Sequence, residues 1–543
     1  MSVDWYEWCR ESFSQAEEED RLIFLFLGAS WDPATQTVQR KVFTHRAIST
    51  LLNHDYIPVQ VDLDHRPDIY DRYSTEGWPC MAILTPQGSP IWVSNTFGEA
   101  ELEKMLAQLK QAYQASREVV DQEIRDRDSK NAIERRKIYH MTCAVNDEIF
   151  RKTLQGIMIS FDMDHMGFGG APKYPHPSSL RVLANAFACV RGDDLRENLA
   201  GGLRPLEALF DDQDGGFFRF ARRKDWSHVL TAKMCEENGE LIRACLDGSK
   251  LLGEPLFRQF ASQTAAWAHS TLWDGEVARF CGSQAAREIK TPPPVEPVHY
   301  TSGSAVMASA FLQAAIDLDF PEYGKAALHC IDGLWAEGFD PERGMCAIFH
   351  PRPKYYGQAR SQASMLGALL DAYEFTGKAV YLERADYLLS FCRDRLWSEE
   401  DRGFLDRLSG EEVLGELKEP RKNLHENALL ADGAIRFTFL TEKGDLDFPS
   451  EVLSAFPNFQ DEYGHHTSHY AVAADRLIRP ATEVDLYDAT EDWRRATLAP
   501  FLSRRVVRHH TKGGNPYARV RIGKDFSGDY HTVEELSAVL GEL

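Results

Sequence analysis

The chain has 543 residues, 43 % hydrophobic and 11 % aromatic, a composition that suits two or three globular domains and excludes extended disorder. A formal net charge of −22 excludes a dominant nucleic-acid or anionic-membrane surface, because either partner needs clustered Lys and Arg. No apolar run is long enough to cross a bilayer, and the opening Met1-Ser2-Val3-Asp4-Trp5 has neither a basic start nor an apolar core, so a cytoplasmic protein is expected.

The first 115 residues alternate helix and strand signals. A short polar helix over 11–19 precedes an apolar strand at 22–27, and a helix over 48–53 precedes a second strand at 56–61. Strands at 81–84 and 91–93, joined by Pro86-Gln87-Gly88-Ser89-Pro90, read as a hairpin, and a helix over 99–115 closes an α/β unit. The loop after the first strand is Ser30-Trp31-Asp32-Pro33-Ala34-Thr35, a place where a reactive group gains from the following helix N-terminus. It holds no cysteine, histidine or lysine; Asp32 before Pro33 fits a helix N-cap, with Thr35 in the first turn. Pro79 stands directly before the third strand, where a cis peptide is expected, and Cys80 follows it as an inward strand residue or a lone thiol beside the loop. Residues 116–140 are densely charged and read as a helical connector.

From 141 to 480 strand signals almost vanish. Helical periodicity runs through 178–189, 235–252, 256–272, 304–318, 324–336, 361–375, 379–396 and 427–440. Between the helices one phrase recurs: Phe161-Asp162 to Gly167-Phe168, Phe210-Asp211 to Gly216-Phe217, Trp273-Asp274 to Phe280, Phe339-Asp340 to Gly344, and Trp397 to Gly403-Phe404. An aromatic, an acidic turn, a glycine and another aromatic, spaced by a helix pair, imply helical hairpins repeating around an axis, an α/α toroid. Residues 481–543 return to short strands and two helices, a small α/β segment in which Gly513-Gly514-Asn515-Pro516 is a turn.

The acidic turns supply candidate carboxylates for work on sugars, Asp162, Asp164, Asp211, Asp212, Asp214 and Asp274, with His165 beside them, although Asp is also the ordinary residue of tight turns. Ten cysteines without x-x spacing indicate neither a disulfide framework nor a zinc finger. His465 and His469 stand four apart as metal ligands on a helix would, but Gly464 and the lack of a third ligand argue against a site, so no metal and no cofactor are expected. Glu426 reads as an acid near a helix start.

Trp5-Tyr6-Glu7-Trp8, Val59-Gln60-Val61-Asp62, Arg66-Pro67-Asp68, the stretch from Gly77-Trp78-Pro79-Cys80 to Pro86, and Gly167-Phe168-Gly169-Gly170-Ala171-Pro172-Lys173-Tyr174-Pro175-His176-Pro177 together resemble the spermatogenesis-associated protein 20 family. That resemblance implies a multidomain fold: a thioredoxin-like domain (1–115), the connector (116–140), an (α/α)6 barrel like those of six-hairpin glycosidases and sugar 2-epimerases (141–480), and the C-terminal segment (481–543). The family's Cys-x-x-Cys pair falls on Asp32 and Thr35, which can neither attack nor resolve a disulfide. In the second domain Lys233, Met234 and Asn238 keep the family's pattern, whereas Leu230, Ala232, Ala285, Arg287 and Thr301-Ser302-Gly303-Ser304 depart from it. Two expectations follow. One is a protein without dithiol redox activity that binds a carbohydrate-like ligand or a protein partner, its barrel chemistry eroded. The other is a carbohydrate-active enzyme, an epimerase, isomerase or hydrolase, drawing on Asp162, Asp164, Asp211, Asp214, Lys233 or Asn238 at the barrel mouth.

Overall fold

A computed structural model describes residues 2–543 except 76, 96–97, 140–141, 409–412, 457–458 and 460–462, with the backbone alone for 135–139. The chain divides into two compact units.

The first unit comprises Met1–Tyr139, Ala285–Glu296 and Arg407–Arg421. Its elements are α1 (Arg10–Glu18), β1 (Leu22–Gly28), α2 (Pro33–Lys41), α3 (Arg46–Asp55), β2 (Tyr56–Asp62), α4 (Pro67–Tyr73), β3 (Cys80–Leu84), β4 (Pro90–Ser94) and α5 (Glu99–Tyr139). The strands form one sheet in the order β2-β1-β3-β4, with β1 parallel to β2 and the rest antiparallel, the thioredoxin-like arrangement the sequence implied. β1 is buried on both faces, which is why it reads as a continuous apolar run. Ile23, Leu25 and Leu27 pack with Trp8, Phe13 and Tyr73, and Phe24 and Phe26 pack on the other side with Phe43, Ile48 and Leu52. Each fully buried side chain of this size contributes roughly 1.5–3 kcal/mol. The long α5 continues past the helix expected over 99–115 and leaves helical geometry at Ser116, where the charged stretch begins. The Trp78–Pro79 peptide is cis.

The second unit comprises His140–Gln284, Pro297–Asp406 and Lys422–Leu543. Six helices, α7 (Pro177–Val190), α9 (Cys235–Leu252), α11 (Thr301–Asp317), α13 (Ala359–Thr376), α15 (Leu424–Thr441) and α17 (Ser468–Ile478), touch in sequence, and α17 returns to α7 to close the ring. Each leans on an outer helix: α8 (Asp193–Leu203), α10 (Pro255–Trp267), α12 (Pro321–Gly338), α14 (Ala379–Arg395), α16 (Asp447–Ser454) and, for α17, α6 (Asp147–Ile159). This is an (α/α)6 barrel.

The recurring phrase has a single structural meaning. Its two aromatics pair across a tight antiparallel turn: Phe161 with Phe168, Phe210 with Phe217, Trp273 with Phe280, and Trp397 with Phe404; in the fourth repeat Phe339 pairs with Met345. In four of the five repeats the next inner helix then clamps the returning strand with a polar side chain in its first turn. Phe217 N–H donates to Asn238 Oδ1 (2.7 Å) and Asn238 Nδ2 donates to Phe217 O (3.0 Å); Gln362 holds Met345 and Asn427 holds Phe404 in the same way. Ser304 Oγ does so for Phe280. Backbone groups of a short buried strand lack a sheet to satisfy them, and these clamps meet that need.

The tail forms a four-stranded sheet of β5 (Thr482–Tyr487), β6 (Arg505–His510), β7 (Tyr517–Ile522) and β8 (Phe526–Tyr530), in the order β6-β5-β7-β8, with α18 (Glu491–Leu498) and α19 (Val533–Glu542) against it. β8 carries Ser527-Gly528-Asp529 in a row at its centre, which hid it from hydrophobic patterning.

Candidate functional site in the barrel

The inner helices all begin at one mouth of the barrel, so the second residue of each stands in the same layer: Ser178, Glu236, Ser302, Arg360, His425 and His469. Four of these, Ser178, Glu236, His425 and His469, line an axial cavity of about 130 Å³. Deeper in the same cavity come Arg181, Glu240, Arg243, Asp371, Asp432 and Arg436. The axis is therefore polar, and the erosion expected from Leu230, Ala232 and Ala285 does not reach it; Leu230 and Ala232 are fully buried elsewhere in the barrel unit, and Ala285 belongs to the first unit.

Most of these charges are committed. Arg360 donates to Glu236 (2.7 Å); burial opposes the Glu236 charge, but Arg360 holds its carboxyl below the usual range. Asp371 takes Arg243 (3.2 Å) and Arg436 (2.6 Å), Arg436 also reaches Glu374 (2.7 Å), and Arg476 Nε donates to Asp432 (2.8 Å). Among the described residues Glu240 has no hydrogen-bond or ion-pair partner. Burial and the neighbouring Glu236 charge push it up to about 7, so near neutral pH it is present in both protonation states. The rings of His425 and His469 meet edge to face, centroids 4.5 Å apart. Burial lowers the pKa of both, further for His469 under the influence of His425, and both are neutral at pH 7. A neutral imidazole pair and a protonatable carboxyl in one cavity can take up and return protons.

Of the residues named from sequence, His469 lines this cavity, whereas the candidate carboxylates, Lys233 and Asn238 lie outside its lining. Asp162 Oδ1 accepts from the backbone of Asp164 and His165 (3.0 Å each), and its other oxygen takes Lys173 Nζ (2.9 Å), which keeps it well below the ordinary carboxylate range against the cost of burial. Asp211 forms a buried ion pair with Lys233 (2.5 Å), whose ammonium also donates to Gly215 O (2.6 Å). Asn238 is the clamp described above, Asp212 and Asp214 are exposed, and Asp274 caps its own turn through Glu276 N–H (3.1 Å). Ligand atoms of Asp162, Asp164 and His165 lie within 4.8 Å of one another. His465 meets His176 and His466 (centroids 4.2 Å each), whereas His469 meets His425, so the two histidines four apart serve different neighbours. Sequence reasoning missed Glu240, Arg181, Arg243, Asp371 and Arg436. The available signal was a charged residue inside an otherwise apolar helical stretch, as in Leu180-Arg181-Val182 or Leu370-Asp371-Ala372.

In the first unit Asp32 caps α2: Thr35 N–H and Thr35 Oγ1 both donate to Asp32 Oδ2 (2.7 and 2.9 Å), and both residues are buried. Cys80 is buried as well, and burial raises its thiol pKa. Next to this loop Asp62, His65 and Glu296 bring ligand atoms within 4.8 Å, with Ser30 Oγ and His65 Nε2 both 3.3 Å from Glu296 Oε1. Burial, then the Asp64 charge, pushes Asp62 up to about 7.

Fold and cavity together define a two-module protein, a thioredoxin-like unit joined to an (α/α)6 barrel with a charged axis. Among solved structures, cellobiose 2-epimerase from Spirochaeta thermophila shares the barrel fold, with a TM-score of 0.51 at 15 % identity over 60 % of this chain and 93 % of that one. Residues 1–130 match the family model Thioredox_DsbH, described as a protein of unknown function, DUF255. The family resemblance read from the motifs holds: the chain is 24 % identical over 318 residues to spermatogenesis-associated protein 20 of Homo sapiens, covering 54 % of this chain and 39 % of that protein. The Rattus norvegicus protein of the same name is 25 % identical over 320 residues, again 39 % of its length. No helix among the described residues is long and apolar enough to cross a membrane.

Proposed function

We propose that the barrel binds a carbohydrate in its axial cavity and moves a proton on it, as an aldose–ketose isomerase or 2-epimerase does, while the first unit serves without dithiol exchange. One observation carries this reading: His425, His469 and Glu240 line one cavity, the imidazoles neutral and the carboxyl able to hold or release a proton near neutrality. A neutral imidazole removes the proton from the carbon beside the open-chain carbonyl, leaving an enediolate; the imidazolium so formed, or the protonated Glu240, returns a proton to the opposite face of the same carbon, or to the neighbouring carbon once the hydroxyl proton has passed to the former carbonyl oxygen. Glu236, kept ionised by Arg360, and the guanidiniums of Arg181 and Arg243 offer hydrogen bonds to hydroxyl groups. The fold shared with a cellobiose 2-epimerase is compatible with that chemistry. The candidate catalytic groups of this reading thus line the axial cavity, in place of Asp162, Asp164, Asp211, Asp214, Lys233 and Asn238.

The test is proton exchange followed by NMR in deuterated water over a panel of aldoses, ketoses and disaccharides. A substrate loses its C2–H signal in the presence of the protein, and His469→Gln or Glu240→Gln slows that loss on the order of 10²-fold or more. Exchange on no sugar, or exchange that both variants leave unchanged, overturns the proposal.

A further inference from the structure

Arg181 lies on α7 one turn below the mouth and lines the axial cavity together with a second cavity of about 90 Å³ nearer the C-terminal ends of the inner helices. Among the described residues it has no hydrogen-bond or ion-pair partner of its own. The carboxylates around it are engaged elsewhere: Asp432 with Arg476, Asp247 with Gln313 Nε2 (2.7 Å), and Asp371 with Arg243 and Arg436. Burial and the repulsion of two further guanidiniums, Arg243 and Arg476, outweigh the attraction of Asp432 and Asp247 and bring its pKa down to about 10. Arg476 is 5 % exposed, lines the second cavity, and its Nη1 is buried without a hydrogen-bond partner. A guanidinium cannot escape burial by losing its proton at physiological pH, so one that nearby carboxylates compensate only in part is costly in a cavity unless something else brings further counter-charge.

We infer that the ligand of the axial cavity carries an anionic group, a carboxylate or a phosphoryl, and that Arg181 receives it with Arg243 and Arg476 behind. The inference rests on the proposed reading only in taking the ligand to be a carbohydrate. A guanidinium suits either group, because its two parallel N–H donors match a pair of oxygens on a carboxylate or a phosphoryl. Glu240 faces the same cavity from α9, so the ligand's acidic end lies toward Arg181, and its reacting end toward the imidazoles at the mouth.

The experiment is calorimetric titration of the full chain with glucose, glucuronate, glucose 6-phosphate and inorganic phosphate, repeated on Arg181→Gln and Arg181→Lys. The expected result is at least tenfold tighter binding of one anionic sugar than of glucose, abolished in Arg181→Gln and partly kept in Arg181→Lys. Circular dichroism shows whether each variant folds; if Arg181→Gln does not, Arg181→Lys and a loss of the preference on raising salt decide. Equal binding of neutral and anionic sugars, binding of none, or a preference indifferent to the substitutions overturns the inference. Phosphate binding as tightly as glucose 6-phosphate assigns the site to a free anion and overturns it too. Proton exchange is read separately, so anion preference without exchange refutes only the catalytic reading, and exchange on neutral sugars without anion preference refutes only this one.

Discussion

Replacing Lys233 by methionine tests whether the acidic turns hold the barrel together. The Lys233 side chain is 2 % exposed and that of Asp211 is 1 %. The ammonium lies 2.5 Å from the Asp211 carboxylate, donates to Gly215 O at 2.6 Å, and sits 4.9 Å from the Trp267 ring. Gly215 and Gly216, both at positive φ, pack so closely that an added Cβ on Gly216 would come within 2.7 Å of Trp267, so the turn has no room to rearrange. Lys233→Met keeps the volume but strips a buried carboxylate of its counter-charge, a loss of about 3–5 kcal/mol. That is a large share of the roughly 5–15 kcal/mol that stabilises a typical domain. Denaturant unfolding followed by tryptophan fluorescence, with the barrel transition fitted separately from that of the first unit, measures the loss. Asp211→Leu combined with Lys233→Met removes both charges and returns the barrel to within about 2 kcal/mol of the parent. A single variant that loses less than about 1 kcal/mol, or a double variant no better than the single one, refutes the reasoning.

Other outcomes follow from the same geometry. Since Glu240 titrates at about 7 in the folded protein against an ordinary value of 4.5, the folded state holds its proton where the unfolded chain releases it; stability falls as pH rises from about 4.5 to 7 and levels off above. Unfolding midpoints across that range, with Glu240→Gln showing a shallower fall, check this, and identical slopes contradict it. Asn238→Ala leaves Phe217 N–H and O without the clamp and destabilises the barrel by about 1–3 kcal/mol in the same unfolding assay. Asp32→Ala removes the α2 cap at a cost of about 1 kcal/mol; no change in the first unit's transition would show the cap to be idle. Under native alkylation, mass spectrometry finds Cys189 modified first and Cys80 only after unfolding, the first being exposed and the second buried; rapid native labelling of Cys80 would revive a single-thiol role.

The two fold classes were legible because their signals are local. β1 announced itself as an apolar run, and the barrel through a phrase whose aromatics pair across a turn in four of its five occurrences. What escaped was set by closure of the ring. Arg181, Glu240 and His425 come from three helices far apart in sequence, and only the return of α17 to α7 puts them around one axis. The acidic turns drew attention because Asp beside Gly is conspicuous in a sequence. Their carboxylates face their own backbone, an outcome that turn chemistry anticipates but cannot separate from catalysis without coordinates. Nor could spacing show that Ala285–Glu296 and Arg407–Arg421 leave the barrel to pack with the first unit, with Leu417 in its core.

The parallel start of the six inner helices has an electrical consequence. Each helix carries a macrodipole worth roughly half a positive charge at its beginning and half a negative one at its end. Pointing the same way around a ring, the six add to a potential that falls from one mouth of the barrel to the other. The positive end is where Glu236 stays ionised and the imidazoles stay neutral; the negative end is where Lys250 and Arg436 gather. An anionic group is drawn by this field to the mouth and held back from the far end, so its passage inward goes no deeper than the first cation strong enough to offset the fall, and Arg181 stands one turn below.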